Sequence, residues 1–207
     1  LVEDHIISTG VDPKIPPVDL MAANFKESVE KVKSPESRAS EIESAIKHHI
    51  TVNLDEDPEY YKSLSLRLRD IIEKTKGKWD QQLELLLDLV SNIETEHKQA
   101  ADDLGLTETE YAFYNILMAE VSAHSNDGVV GDEEHEEIKA TSQSLVEMFD
   151  EATQIVDFFQ KNDEVKRMKK EIKRAILDCS YGESAIVKVV QSRFMDLAQS
   201  RFGKSGK

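Results

Sequence analysis

The sequence predicts an all-α fold, a multi-helix bundle of about seven to eight helices that is compatible with two helical lobes. Apolar residues recur at steps of three and four along most of the chain, and no stretch shows the sustained alternation of a β-strand. Ser, Thr and Asp residues stand directly before several of these periodic stretches, where helix N-caps are expected. With 207 residues, of which 39% are hydrophobic, the chain is long enough to enclose a sizeable core.

The first three helices are predicted from this periodicity and from proline-marked starts. The first covers roughly residues 19–33. Ser34 is expected to cap a second helix that begins at Pro35 and buries Ile42, Ile46 and Ile50. Asp57 is expected to cap a third helix that begins at Pro58, with acids near the positive end of the helix dipole. The inner stripe of the third helix is expected to comprise Tyr61, Leu64, Leu68, Ile71 and Ile72.

The longest predicted helix follows Gly77 and ends at Gly105, which is expected to act as a left-handed C-cap. Its expected inner stripe is Trp79, Leu83, Leu86, Val90, Ile93, His97, Ala100 and Leu104. Thr107 and Glu110 then form a capping box, and Leu106 is placed to contact Tyr111 across the entry turn. That pattern predicts a helix to about His124, followed by a Gly-rich loop over residues 125–131.

The last helices are predicted between residues 132 and 200. A long helix is expected to bury Ile138, Leu145, Phe149, Ala152, Val156 and Phe159. A basic helix then begins at about Asp163, and a final helix runs from Gly182 to Ser200. The expected organisation is therefore an extended linker over 1–17, a helical assembly domain over 18–200 and a flexible tail over 201–207. The assembly domain is compatible with lobes at 18–124 and 132–200.

The composition and the N-terminal residues indicate the compartment and the context in which the chain works. The linker reading rests on Pro13, Pro16 and Pro17 and on a first residue that is Leu1 rather than Met, as in a piece cut from a longer protein. The lone Cys179 excludes an intramolecular disulfide, and neither a secretory signal nor a membrane-spanning apolar run is visible. We therefore expect a cytoplasmic protein without a membrane partner.

The charge is large and unevenly distributed. A net charge of −15 argues against a surface that binds nucleic acid everywhere, because an acidic field repels phosphates. However, residues 159–207 hold 12 Lys and Arg against 6 Asp and Glu, whereas residues 1–158 hold 14 against 35. The sequence thus predicts a cationic end of charge +6 on an anionic body of charge −21.

The basic helix is the surface feature that stands out. Val165, Met168, Ile172 and Ile176 are expected to form its inner stripe, which leaves the cations projecting around the rest. Such a helix fits phosphates or an acidic protein, with weak, salt-sensitive and non-specific DNA binding as the outcome on duplex DNA. An equally weighted alternative is a solvated face that packs on the acidic body. The candidate contact residues for DNA or a partner are Lys161, Lys166, Arg167, Lys169, Lys170, Lys173 and Arg174.

Other motifs in the chain favour ordinary structural roles. Gly203-Lys204-Ser205 imitates the end of a phosphate-binding loop, but Ala198 stands where that motif needs a glycine. The acidic run 133–137 contains a histidine but lacks the second one that a helical zinc motif needs. Asn53, Asp55 and Asp57 alternate like calcium ligands, yet Pro58 replaces the required glycine, so helix capping explains them better.

No catalytic, cofactor-binding or metal-binding set is predicted for this chain. His48 and His49 are adjacent and cannot share a helical face, and His97 fits a satisfied imidazole at the edge of the core. No Ser or Cys is paired with a His in a recognisable nucleophile–base arrangement. A helical enzyme of another kind would need polar side chains that converge in a pocket.

Three stretches together resemble the C-terminal region of the motor subunits of type I restriction enzymes. They are residues 50–61 with Leu68 beyond them, residues 104–114, and the segment from Asp157-Phe158 through 165–167 to 172–176. Their order and spacing cover roughly residues 40–177. Phe158 departs from the pattern, because relatives often carry Trp at that place.

The resemblance implies a parent protein that assembles with methyltransferase and specificity subunits, translocates DNA with ATP and Mg, and cuts it remotely. The nuclease and helicase chemistry would lie upstream of this fragment, which would itself be non-catalytic and hold no cofactor. By family analogy, this part docks the motor on the methyltransferase core and touches the double-stranded DNA between them. The alternative is an acidic helical adaptor that binds proteins and makes no nucleic-acid contact.

Overall fold

The fold is all-α throughout the part of the chain that the structure describes. The computed structural model describes residues 20–22, 25–125 and 128–203, without the side chains of Lys26 and Glu94. Within these ranges there are eight α-helices and one short 3-10 helix, and no strand. The α-helices are α1 (Phe25–Glu30), α2 (Pro35–Asn53), α3 (Pro58–Lys74), α4 (Trp79–Leu104), α5 (Glu108–His124), α6 (Asp132–Ala152), α7 (Asn162–Leu177) and α8 (Ser184–Phe202), with the 3-10 helix at Phe158–Gln160.

The predicted starts of α2 and α5 and the predicted end of α4 are confirmed, because each is specified by local hydrogen bonds. Ser34 Oγ accepts from the backbone N–H of Ser37 at 3.1 Å and caps α2. Thr107 and Glu110 form both bonds of the capping box at the start of α5. Gly105 ends α4 at φ +66°, and its neighbour Leu106 donates a backbone bond to Ala101 at 2.9 Å, as in a Schellman C-cap.

By its internal contacts the chain divides into two compact units. The first lies within Leu1–Leu54 and Tyr61–Glu96, and the second within Asp55–Tyr60 and His97–Lys207. The loop near residues 125–131, which the sequence marked as a lobe boundary, therefore falls inside the second unit. The predicted linker over 1–17 and residues 204–207 of the predicted tail lie outside the described residues.

The first unit buries the stripes of α2, α3 and α4. The predicted Ile42, Ile46 and Ile50 are at most 2% exposed, and Leu64 and Leu68 are buried on α3. Helix α1 is shorter than the predicted 19–33. Its end is closed by Arg38, whose guanidinium donates to the carbonyl oxygens of Val32 at 2.6 Å and Glu30 at 2.9 Å.

The predicted inner stripe of α4 is partly wrong. Trp79 is the first residue of the helix and is 38% exposed. In the first unit, the buried side chains of α4 are Gln82, Leu86, Leu89 and Ile93. Their spacing of four, three and four shifts the stripe by one residue from the predicted Leu83 and Val90.

The second unit is built around a core of α5, α6, α7 and α8. Phe113 of α5 packs between Phe149 of α6 and Phe194 of α8, with ring centroids 5.6 and 4.8 Å away. The predicted Ile138 and Leu145 of α6 are also fully buried. The final helix runs to Phe202, two residues beyond the predicted end, and the Phe202 ring stacks on Phe149 at 6.2 Å.

The expectation that Val156 is buried on a continuous helix is wrong. Helix α6 ends at Ala152, and Asp157 adopts a left-handed backbone with φ 56° before the 3-10 helix. This break changes the register, so Val156 is 77% exposed and Phe158 enters the core in its place. None of the described helices is long and apolar enough to cross a membrane.

Candidate functional site

Helix α7 carries the predicted contact residues, and its apolar stripe determines how they are presented. Met168, Ile172 and Ile176 are 6%, 0% and 0% exposed and belong to the core of the second unit. Val165 packs against the same core, as predicted. Because this stripe occupies the inner side of the helix, the remaining positions face outward.

All seven predicted contact residues are exposed. Lys161 lies at the turn that joins the 3-10 helix to α7, and the other six are on the helix itself. The exposed set is Lys161, Lys166, Arg167, Lys169, Lys170, Lys173 and Arg174. Their accessibility agrees with the predicted role, and the role itself stays a prediction.

Three of these cations have acidic neighbours on the same helix or just beyond it. Arg167 Nη2 lies 2.7 Å from Glu164 Oε2, Lys166 Nζ lies 3.9 Å from Asp163 Oδ1, and Arg174 Nε lies 4.0 Å from Asp178 Oδ2. Exposed pairs of this kind contribute about 0–1 kcal/mol each. Among the described residues, no carboxylate lies within ion-pair distance of the other four, which are Lys161, Lys169, Lys170 and Lys173.

Helix α8 brings one further lysine to this region, which sequence reasoning missed. The side-chain amide of Gln191 donates to the backbone carbonyl of Lys169, so this face of α8 borders α7. Lys188 lies three residues before Gln191 and is exposed. Because Lys188 is separated from Lys173 by a turn and the start of another helix, no local pattern could have joined the two.

A second polar cluster surrounds Asp57, which was predicted only as a helix cap. The carboxylate Oδ1 accepts from the backbone N–H of Tyr60 at 3.1 Å, which confirms the cap of α3. The other oxygen accepts from His97 Nε2 at 2.9 Å and from the amide nitrogen of Asn115 at 3.0 Å. The Asp57 side chain is 1% exposed, so these hydrogen bonds replace the hydration that the carboxylate loses when it is buried.

The segment Asp55–Tyr60, here called the strap, is fastened to the second unit at two more places. The guanidinium of Arg193 bridges Glu59 and Glu120, with 2.7 Å between Arg193 Nη1 and Glu120 Oε1. Arg201 donates from Nε and Nη2 to the backbone carbonyl of Glu56 at 3.0 and 2.7 Å. The strap is thus bound by residues from three helices, namely α4, α5 and α8.

Aromatic rings complete the surroundings of His97. Its imidazole packs edge-on against Tyr60 and Tyr111, with ring centroids 4.4 and 5.4 Å away. Burial, together with the negative charge of Asp57, raises the pKa of the Tyr111 phenol. The arrangement matches the predicted satisfied imidazole at the core edge, since His97 Nε2 is bonded to Asp57 and the two tyrosine rings pack against the imidazole.

The other motifs weighed in the sequence also have structural partners. Glu134 accepts from the backbone N–H of Gly131 at 2.9 Å at the start of α6, and His135 Nδ1 lies 2.7 Å from the Tyr114 hydroxyl. The backbone N–H and hydroxyl of Ser180 donate to Glu137, which lowers the pKa of that carboxyl. In the described ranges, no three His, Cys, Asp or Glu side chains gather as metal ligands.

The comparison with known families supplies an identity for this helical domain. The family described as type I restriction enzyme HindI endonuclease subunit-like, C-terminal, has a model that matches residues 6–196. The chain belongs to this family. In this type I restriction endonuclease subunit-like C-terminal domain, the match covers most of both units, including the whole strap and the whole of helix α7.

A curated relative of this restriction-subunit domain comes from Methanocaldococcus jannaschii. It is named a type I restriction enzyme MjaIXP endonuclease subunit and is 29% identical over 107 residues. The aligned stretch covers 50% of this chain and 10% of that protein, so the chain spans about a tenth of the relative's length. No solved structure matches the chain.

Proposed function

We propose that the chain is the docking module of a type I restriction endonuclease subunit. In this proposal it holds an ATP- and Mg-dependent DNA translocase and nuclease on the methyltransferase and specificity subunits, in the cytoplasm. The observation that carries the proposal is the family match over residues 6–196, which assigns the chain to the C-terminal part of such a subunit. The chemistry of cleavage and translocation is assigned to the rest of the parent protein.

The docking part rests on the helical architecture. In this proposal helices α4 and α5 provide the scaffold. The polar side chains around the strap, such as His97 and Arg193, hold parts of the second unit together. We expect that an endonuclease subunit that lacks this domain no longer co-purifies with its methyltransferase core. Retention of full affinity by the truncated subunit would overturn the docking role.

The contact part assigns the outward face of α7 to DNA or to an acidic partner. It is supported by seven exposed cations, four of which have no carboxylate within ion-pair distance among the described residues. Each phosphate neutralised on duplex DNA releases about 0.9 counterion, so the expected binding is weak, salt-sensitive and independent of sequence.

A charge-reversal experiment tests this contact. The triple variant Lys169→Glu, Lys170→Glu, Lys173→Glu should reduce the affinity for duplex DNA and flatten its salt dependence. A matched control reverses three exposed lysines elsewhere, namely Lys76, Lys78 and Lys98, and changes the net charge equally. An unchanged affinity and salt slope in the α7 triple variant would remove these residues from the site.

One alternative retains a specific supporting observation. Residues 1–158 carry −21, which suits an adaptor that binds only proteins and makes no nucleic-acid contact. A gel-shift titration with duplex DNA at low and moderate salt separates the two functions. Binding that weakens as salt rises favours the docking module with a DNA contact, whereas no binding at low salt favours the adaptor.

A further inference from the structure

The cations of α7 are not equivalent, because they lie on two different flanks of the helix. Successive residues of an α-helix are about 100° apart, so the buried Met168 and Ile172 fix which way each side chain points. On one flank the charged residues of the middle turns are lysines, namely Lys166, Lys169, Lys170 and Lys173. Lys166 has the fully exposed Asp163 at 3.9 Å, whereas the other three have no carboxylate within ion-pair distance among the described residues. Towards the other flank lie Glu164, Arg167, Glu171 and Arg174.

The arginine flank is balanced by its own acids. Arg167 is paired with Glu164 at 2.7 Å, and the Glu164 side chain is only 27% exposed. Arg174 is within 4.0 Å of Asp178, and Glu171 adds another carboxylate to the same flank. A phosphate that approached here would have to compete with carboxylates already in place, and the local net charge is close to neutral.

The lysine flank continues onto α8. The two helices are connected only by residues 178–183 and therefore run antiparallel. Their turn is tight, since a Cβ on Gly182 would lie 2.5 Å from the carbonyl oxygen of Ile176. Gln191 of α8 touches the backbone of Lys169 on α7, which fixes the register between the two helices.

This register places Lys188 beside Lys173. From the Gln191 contact, Lys188 is three residues back along α8, and Lys173 is four residues forward along α7. Because the helices are antiparallel, both steps move in the same direction by about one turn. The exposed side chains of Lys188 and Lys173 thus extend one cationic surface across the groove between the helices.

We propose that this five-lysine surface binds the phosphate backbone of a nucleic-acid duplex and that Arg167 and Arg174 do not contact it. The five-lysine surface comprises Lys166, Lys169, Lys170, Lys173 and Lys188. The inference rests on the proposed function, because it defines the nucleic-acid contact of the same domain. A lysine ammonium acts as a point charge towards phosphate, and a guanidinium can also bind phosphate, but Arg167 and Arg174 already have Glu164 and Asp178 beside them.

The decisive experiment compares two neutralising variants with the same change in charge. Lys188→Gln and Arg167→Gln are each titrated against a random-sequence DNA duplex, using this chain and fluorescence anisotropy at several salt concentrations. Lys188→Gln should flatten the slope of log affinity against log salt by about 0.9, which is one phosphate contact. The ratio of affinities at about 50 and 200 mM salt then falls by about threefold. Arg167→Gln should keep the parental slope.

Controls and contrary outcomes separate the inference from the proposed function. Lys188→Arg retains the charge and should keep the slope, and circular dichroism melts check that each variant is folded. A parental slope for Lys188→Gln, with binding lost in the α7 triple variant, would overturn the inference and leave the proposed function standing. An equal loss for Arg167→Gln would also overturn it, since the whole helix would then act as one charge. If neither Lys188→Gln nor the triple variant changed the DNA affinity, both the inference and the DNA contact would fail.

Discussion

Asp57 caps a helix locally and also accepts hydrogen bonds from residues that are distant in sequence. Its sequence position before Pro58 is sufficient to predict a helix cap. The structure adds His97 and Asn115, which are 40 and 58 residues away along the chain and both donate to the same carboxylate oxygen. An ionised carboxylate is tolerated in a buried place only when such donors replace its hydration.

The corresponding prediction compares two acids of the same turn. Asp57→Ala removes the cap and leaves the part-buried donors of His97 and Asn115 without this acceptor, so we expect the free energy of unfolding to fall by about 2–4 kcal/mol. Asp55 is exposed and serves as the matched control, with little effect expected for Asp55→Ala. Urea unfolding followed by circular dichroism measures both, and equal losses would contradict the role given to Asp57.

At the scale of the helix, the ends were predicted better than the buried faces. The capping residues bond to backbone atoms only a few residues away, so the local sequence is sufficient to predict them. They are Ser34, Asp57, Thr107 and Gly105. The face of a helix that becomes buried depends instead on its neighbours. The exposed Trp79 and the buried Gln82 show that neighbouring elements override apolar periodicity.

Gly105 provides a test at this scale. Its φ of +66° is unfavourable for residues with a Cβ, yet a Cβ built there would meet nothing within 4 Å. Gly105→Ala should therefore lower the free energy of unfolding by about 1 kcal/mol through backbone strain alone. Gly105→Asn should lose less, because Asn tolerates the left-handed region.

Gly203 is the control for that substitution. It follows α8 with φ −69°, and a Cβ there would make an ordinary contact with Gln199 at 3.5 Å. Thermal melts should show that Gly203→Ala is neutral or slightly stabilising. A comparable drop in melting temperature for Gly105→Ala and Gly203→Ala would contradict the assignment of strain to the end of α4.

Across the whole molecule, the sequence predicted the fold class and the charge asymmetry but not the long-range connections. Arg193 meets Glu59 across 134 residues, and Arg201 meets Glu56 across 145. No periodic or local pattern relates residues so far apart. Likewise, the sequence found the cations of α7, whereas their separation into two flanks and the addition of Lys188 required the packing of α7 on α8.

We predict that the fold loses stability at alkaline pH because of its buried tyrosines. Burial raises the pKa of Tyr111, Tyr114 and Tyr181, all in the second unit. A raised pKa in the folded state means that stability is complete below about pH 10 and is lost as the pH rises through the folded values. We therefore expect unfolding to accompany the ionisation of these phenols.

Absorbance at the tyrosinate band and helical circular dichroism, recorded together during a base titration, measure this coupling. A fraction of the phenols should ionise only as the helical signal disappears. The same titration in concentrated guanidinium is the control and should show one transition at the ordinary pKa. Complete ionisation near pH 10 with the helical signal intact would contradict the prediction.

The strap also dictates an order of events during synthesis of the protein. Asp55–Tyr60 leaves the ribosome well before the helix that carries Arg193 and Arg201, and its carboxylates and carbonyl cannot meet their guanidinium partners until then. Vectorial folding of the second unit is therefore postponed until nearly all of the described chain has been translated. A ribosome stalled within α7 would hold a nascent chain in which His97 and Asn115 are already available to the strap but Arg193 and Arg201 are not.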